Sequence, residues 1–362
     1  TTDIARGVAI DSNNNVYITG QTSGNLGGPP VGESDVFLAK YDSTGTLEWT
    51  KQLGTSVLDT ALGVAVDSNN NVYITGYTAG NLNGTNAGLY DVFLAKYDSA
   101  GTDQWTEQLG TSTQDYGNSI AIDSNNNVYI TGYTGGNLVG NTNAGLNDAF
   151  LAKYQVYEQA PAPAPAPVAI SPILEWTKQL GTTNDEYARG VAIDSNNNVY
   201  ITGYTKGDLD GTNAGSDDAF VAKYDSTGTL VWTKQLGTYT EDRGNSVAID
   251  SNNNVYIIGY TYGSLDGPNS GSVDAFLAKY DSAGTLVWTK QLGSSAGDIG
   301  LCVAIDSNNN VYITGYTNGN IDGNPLAGGY DIFLAKYNSD GIYQWTKQLG
   351  LPGSDVPLKV AI

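Results

Sequence analysis

Histidine and methionine are absent, and cysteine occurs once, at Cys302. Without histidine, Ser-His-Asp and Cys-His nucleophile arrangements are excluded, together with His-ligated zinc and haem. One cysteine forms neither an internal disulfide nor a CxxC site. What remains is carboxylate-pair hydrolysis, a lysine base or an oxygen-only cation site. Positive charge is scarce as well: 16 Lys and Arg stand against 37 Asp and Glu, a formal charge of −21. Such a surface repels phosphate backbones and anionic lipid, so neither nucleic acid nor a membrane is expected as a partner. No stretch approaches the roughly 20 apolar residues of a membrane span. The chain opens at Thr1 without a charged, apolar signal region, so an export signal is expected to have been removed or not included. Low lysine, abundant Asn, Gly, Thr and Tyr, and an Ala-Pro run point to a secreted or cell-surface protein.

What is present is repetition. The phrase Asp-Ser-Asn-Asn-Asn-Val-Tyr-Ile starts at Asp11, Asp67, Asp123, Asp194, Asp250 and Asp306. The spacing is 56 residues throughout except for 71 between the third and fourth copies. In the fourth copy, Gly190–Ile193, Val199–Tyr204, Ala219–Tyr224 and Leu230–Leu236 are short, β-branched and aromatic, with Gly, Asn and Asp between them. No window has a helical period. Four short strands per unit, repeated without helices, predict an all-β fold: a β-propeller of six four-stranded blades of about 56 residues. The alternative is seven blades, completed by residues beyond the C-terminus or by another chain. The expected boundaries are 1–54, 55–110, 111–181, 182–237, 238–293 and 294–350 in one propeller, with 351–362 starting a seventh repeat.

The phrase Gly-Val-Ala-Ile-Asp-Ser-Asn-Asn-Asn-Val-Tyr-Ile-Thr-Gly, followed by Asp-Ala-Phe-Leu-Ala-Lys-Tyr-Asp, resembles the bacterial SBBP β-propeller repeat family over nearly the whole chain. The resemblance implies a large exported or surface protein without an assigned activity. The turn Tyr-Asp-Ser-Thr-Gly-Thr-Leu-Val-Trp is also similar to the tryptophan-bearing turn of quinoprotein propellers, from which only the packing role carries over. One Trp per repeat (Trp49, Trp105, Trp176, Trp232, Trp288, Trp345) reads as inter-blade packing rather than a sugar platform. The Asp before each third strand (Asp35, Asp91, Asp148, Asp218, Asp274, Asp331) reads as a turn brace rather than a metal ligand.

In an up-and-down blade, the first and third turns lie at one end, and the middle loop and blade connector lie at the other. Turns at the first end hardly change between copies; loops at the second end differ widely, and loops on a rigid scaffold carry binding. Arg6, Arg189 and Arg243 are placed in blade connectors at that variable end, near the central channel, with Tyr116, Tyr187 and Tyr239. Together these six are the candidate ligand-binding residues, with an anion site and local ion pairs as competing readings. Asp208, Asp210 and Asn213 are the weak candidates for a surface Ca2+, in a loop whose glycine comes too early for an EF-hand. Otherwise no cofactor is expected. Catalysis would need a carboxylate pair among Asp59, Asp115, Asp185, Asp242 and Asp298, which read more simply as turn formers.

Residues 155–173 replace the third turn of the third copy; their core, Ala160 to Pro167, alternates Ala and Pro and is expected to be extended polyproline II. Asp355 to Ile362 aligns with Asp3 to Ile10, a seventh innermost strand without a place in a closed six-bladed ring. The expected function is a non-catalytic structural or interaction scaffold. Its expected partners are other protein chains, including itself through the terminal strand or the Pro-rich segment. Glycan binding at the variable end is the alternative, and a hydrolase or lyase with carboxylates in the central funnel is the third reading.

Overall fold

Residues 2–156, 171–321, 323, 325–357 and 359–360 are described by a computed structural model of the chain. The Ala-Pro run, and Leu358, Ala361 and Ile362 of the terminal segment, lie outside the described residues. All regular structure among the described residues is strand, in six antiparallel four-stranded sheets, each with its strands in chain order. These are six β-propeller blades, three in a unit spanning Thr1–Leu180 and three in a unit spanning Gly181–Ile362.

The first hairpin of each blade is fixed by its Asp-Ser-Asn-Asn-Asn turn. In the second blade, Asp67 Oδ1 accepts the backbone N–H groups of Asn69 and Asn71 at 2.9 and 2.8 Å. Its Oδ2 accepts the Asn71 amide and the Tyr73 hydroxyl at 2.8 and 3.0 Å. Four donors satisfy a buried carboxylate completely, which offsets the cost of removing it from water. The same set recurs around Asp11, Asp123, Asp194 and Asp250. The tyrosine so anchored is fully buried, with the lysine of the third strand over its ring (Lys96 on Tyr73, 5.3 Å).

The fourth turn residue is left-handed in all six copies, at φ from 60 to 63° for Asn14, Asn70, Asn126, Asn197, Asn253 and Asn309. Glycine would satisfy that backbone at no steric cost. Asparagine is there because its carbonyl also accepts the hydroxyl of the preceding blade's serine: Ser12 on Asn70, Ser68 on Asn126 and Ser251 on Asn309, each at 3.0 Å. One residue type therefore turns the chain and ties neighbouring blades.

The opposite end is held by the Gln of Trp-Thr-Lys-Gln-Leu. Gln108 donates to the Gly80 carbonyl and to Asp91 Oδ2, and accepts from the Leu82 N–H, closing the middle loop on the outer strand. Asp91 also accepts the Ala87 N–H at 2.9 Å, so the aspartate before each third strand is a loop brace. The tryptophans lie on the outer strands, about 6 Å from the buried tyrosine of their own blade. In three cases the next blade's turn glycine sits against the indole: Gly101 on Trp49, Gly284 on Trp232 and Gly341 on Trp288.

The blade expectation holds, with two differences. The first strand of the fourth blade spans Glu186–Ile193, four residues longer than its apolar stretch suggests. The terminal segment forms no named strand among its described residues, yet it begins as the first strands do. Asp355 N–H donates to the Tyr330 carbonyl, and Asp355 Oδ2 accepts the Leu351 N–H, as Asp59 does with Ser34 and Thr55. Cys302 Sγ lies 3.8 Å from the Val360 carbonyl.

Asn70→Gly should keep the turn and lose only the Ser12 tie, costing about 1 kcal/mol. Asn70→Val, which adds left-handed strain to the lost tie, should cost about 3 kcal/mol; denaturant melts of the two variants check the order. A pH series gives a second test. Burial raises the phenols of Tyr17, Tyr129, Tyr200 and Tyr256, and the adjacent Asp carboxylates raise them further. A raised folded value means that the folded state keeps its protons longer, so this stability is complete below about pH 10 and is lost above it. The unfolding midpoint should therefore be insensitive to this set up to about pH 10 and fall steeply beyond, in step with tyrosinate absorbance.

Candidate functional site

Each first strand carries one extra residue. The register with the second strand slips between Ala5 and Gly7, Ala61 and Gly63, Ala188 and Gly190, Gly244 and Ser246, and Gly300 and Cys302, with the same slip in the third blade. The bulged residues are Arg6, Leu62, Asn118, Arg189, Asn245 and Leu301. A bulge re-aims a side chain and sharpens the local twist. It requires the glycine that ends Val-Tyr-Ile-Thr-Gly: a Cβ on Gly203 would stand 1.8 Å from the Tyr187 carbonyl oxygen, and on Gly132 1.7 Å from that of Tyr116.

Two positions near this bulge escape the repeat. One is the bulged residue itself; the other, two residues earlier, is Ile4, Thr60, Tyr116, Tyr187, Arg243 or Ile299. The earlier position pairs across the hairpin with the residue after the glycine, which is Gln21 in the first blade and Tyr in the other five.

In the first unit this builds a tyrosine cluster. Tyr116 stacks on Tyr133 at 4.7 Å and meets Tyr77 of the preceding blade at 4.5 Å, with Tyr90 at 5.3 Å from both Tyr77 and Tyr116. Burial first, and then the neighbouring Tyr90 and Tyr77 phenols, push the Tyr116 hydroxyl up to about 12. Arg6 lies in the same unit with no carboxylate in ion-pair reach among the described residues, and its Nε is buried without a hydrogen-bond partner.

In the second unit the same positions build a cationic version. Tyr204 is 7% exposed. Tyr187 stacks on it at 4.9 Å, and the guanidinium groups of Arg189 and Arg243 lie 5.0 and 4.3 Å from its centre. Arg243 is neutralised: Nε and Nη2 reach Asp217 Oδ2 at 2.6 Å, and Nε reaches Glu241 at 3.2 Å. Tyr260 in turn donates to Glu241 at 2.9 Å. Arg189 donates instead to Asn245 Oδ1 at 2.9 Å, and the Asn245 amide is fixed by the Gly300 carbonyl at 2.7 Å.

Sequence reasoning put the three arginines in connectors; the structure places them within first strands, Arg6 and Arg189 at the bulge and Arg243 two positions earlier. Tyr187, Arg189 and Arg243 come together. Tyr116 belongs to the cluster in the other unit, and Tyr239, 84% exposed in its connector, has no ring contact among the described residues. Tyr204, Asn245, Asp217 and Glu241 were not anticipated. Tyr204 was hidden inside the repeated phrase and so read as frame.

The proposed carboxylate set is a set of buried clasps. Asp59, Asp115, Asp242 and Asp298 each accept the N–H of the connector residue four positions earlier at 2.6 Å. Their fourth-blade counterpart is Glu186, which holds Thr182, rather than Asp185. Burial pushes the four Asp carboxyls up, partly offset by the threonine, serine and amide donors. Of the calcium candidates, Asp208 Oδ1 accepts the Asn213 N–H, Asn213 Oδ1 accepts the Gly215 N–H, and Asp210 faces Lys234 at 3.3 Å. No group of three acidic or cysteine side chains is placed to hold a metal ion among the described residues. A cavity of about 390 Å³ lies between the fifth and sixth blades, lined by Lys290, Gln291, Leu292, Ile321, Tyr337 and Tyr343.

The SBBP β-propeller repeat matches residues 1–27, 48–83, 104–138, 175–210, 231–266 and 287–322. The chain belongs to this repeat family. It is 26% identical over 385 residues to the regulatory protein FlaEY of Caulobacter vibrioides, covering 95% of this chain and 39% of that protein. An uncharacterized WD repeat-containing protein of Acanthamoeba polyphaga mimivirus is also 26% identical, over 50% of this chain and 17% of its own length. The chain thus spans well under half of either relative. Among solved structures, an ulvan lyase of a polysaccharide lyase family aligns at 12% identity and TM-score 0.48, covering 96% of this chain and 92% of that one. A Bacteroides caccae protein of unknown function aligns at 11% identity and TM-score 0.43, covering 86% and 89%.

Gly203→Ala should expel the Tyr187 carbonyl from its seat. The expected cost is about 3 kcal/mol or more, read as a lowered thermal midpoint; an unchanged midpoint would refute the account of the bulge.

Proposed function

We propose that the chain is a non-catalytic interaction scaffold that binds through the variable loop end of its blades. The observation that carries this reading is where variation sits within the repeat. The Asp turn, the Gln brace and the buried tyrosine are repeated, whereas the bulge and the position two residues before it change from blade to blade among Arg, Tyr, Asn, Leu, Ile and Thr. Exposed or half-exposed aromatics and arginines are the residue types that anchor protein and sugar partners. The regulatory name of the Caulobacter relative fits an interaction role.

The recurrent Asp59, Asp115, Asp242 and Asp298 are committed to clasps, which argues against them as an acid–base pair for hydrolysis, and the function as read calls for no cofactor. A secreted or bacterial cell-surface setting is supported by composition, with one cysteine and few lysines. Partners of protein class, a second copy included, are the first expectation, and a glycan is the second.

The test is capture. Labelled chain is presented to protein and glycan arrays beside Tyr116→Ala and Arg243→Ala variants. Partners retained by the parent and lost at least tenfold by a variant support the reading. Partners held equally by all three would move binding off this end. New reducing ends or unsaturated products from a polysaccharide panel would overturn the non-catalytic assignment outright.

A further inference from the structure

We infer that the sixth blade's far face, the side turned away from the fifth blade, is a docking surface for the first blade of a second copy of this chain. The core between consecutive blades is built from two different halves. Between the fifth and sixth blades, Tyr256, Ile258 and Leu277 of the earlier blade meet Ile313, Phe333 and Tyr337 of the later one. Between the first and second, Tyr17 and Leu38 meet Val72, Ile74 and Tyr97 in the same way. One half of each kind is left over. On the sixth blade Tyr312, Ile332 and Leu334 are only half-buried, although the matching Tyr256, Ala275 and Leu277 of the fifth blade are at most 1% exposed. On the first blade Val16, Ile18 and Tyr41 are half-buried, whereas the matching residues of the second blade are buried.

The polar ties between blades end at the same two faces. A serine hydroxyl donates to the turn asparagine of the following blade in four pairs: Ser12 to Asn70, Ser68 to Asn126, Ser195 to Asn253 and Ser251 to Asn309. Ser307 of the sixth blade has no such acceptor among the described residues, and the Asn14 carbonyl of the first blade has no such donor. The third-strand lysine likewise reaches a serine carbonyl of the following blade from Lys40, Lys223 and Lys279, but not from Lys336. A Cβ on Gly101, Gly284 or Gly341 would meet the preceding indole, whereas one on Gly45 would meet nothing within 4 Å. Apolar surface, hydroxyl, ammonium and indole on the sixth blade thus await the surface, asparagine, serine carbonyl and glycine that the first blade presents. A second copy supplies them in the register already repeated inside the chain.

The terminal segment marks the berth. Parallel bridges join the middle loop of one blade to the connector of the next, as Ser34 to Leu58, and one of them joins Tyr330 to Ser354. Because Asp355 to Ile362 aligns with Asp3 to Ile10, this segment stands where a docking first strand would enter, and it has to leave for docking to occur. The surface is separate from the variable loop end, so it stands or falls apart from that reading.

The full chain and a chain ending at Gly350 are sedimented over a range of concentrations. Both should associate, the shorter one at least tenfold more tightly because its berth is vacant. Leu334→Asp or Ile18→Asp should each leave a monomer with an unchanged β-sheet circular dichroism spectrum. Mixed together, these two variants keep one intact pair of faces and should form dimers and nothing larger, as a head-to-tail contact requires. Asn14→Gly keeps the left-handed turn and removes only the carbonyl. It and Ser307→Ala should each weaken association about fivefold, and the double variant no more than either alone.

A shorter chain that is monomeric at every concentration would overturn the surface. Association that survives Leu334→Asp, or a mixture that assembles no further than its separate components, would do the same. Equal association by the two lengths would overturn the competition with the terminal segment. Association lost in Tyr116→Ala but kept in Ile18→Asp would move the contact to the loop end and refute this one.

Discussion

A single carboxylate with four donors holds each blade's first hairpin, and much else in the structure depends on it. Asp67 fixes the turn through two backbone N–H groups, and it fixes the core through the Tyr73 hydroxyl, which it holds inside the sheet. Because the tyrosine is anchored at one end, its ring presents a fixed face to the third-strand lysine and to the outer-strand tryptophan. Register, core and blade edge are thus set by contacts that radiate from one buried acid. An acid so used is unavailable for chemistry: its lone pairs are spent on donors that cannot leave without opening the hairpin.

The bulge is the second constraint, and it acts at the opposite end of the same hairpin. With the turn register fixed, an extra residue in the first strand cannot be absorbed by slippage. The glycine of the second strand allows the bulged strand to approach closely enough for pairing to continue. The consequence is that side chains near the bulge reach neighbouring blades: Tyr116 and Arg243 meet the preceding blade, and Arg189 and Asn245 reach the following one. The tyrosine cluster around Tyr116 and the Arg–Tyr cluster around Tyr204 are two fillings of one backbone device.

The blades were legible because identical phrases at one spacing leave little freedom in assigning strands, and the Asn and Gly turn residues mark their ends. The first strands were read too short for a physical reason. Across Glu186-Tyr187-Ala188-Arg189 the bulge breaks the period of two, so a paired strand has the polar, irregular look of a connector. The recurrent acid of the fourth blade was misplaced by one residue for the same lack of a period. Tyr204 was missed because comparison of copies marks a repeated residue as frame, whereas what surrounds that tyrosine differs from blade to blade.

That last point bears on how function arises in so regular a chain. The repeated tyrosine after the glycine is a common anvil, and its chemistry is decided by what the bulge places on it: another tyrosine in the third blade, and two guanidinium groups over the fourth. Changing those partners does not disturb the Asp clasp or the Gln brace, whose donors and acceptors lie elsewhere. The residues that hold the hairpin together are therefore separate from those that vary between blades.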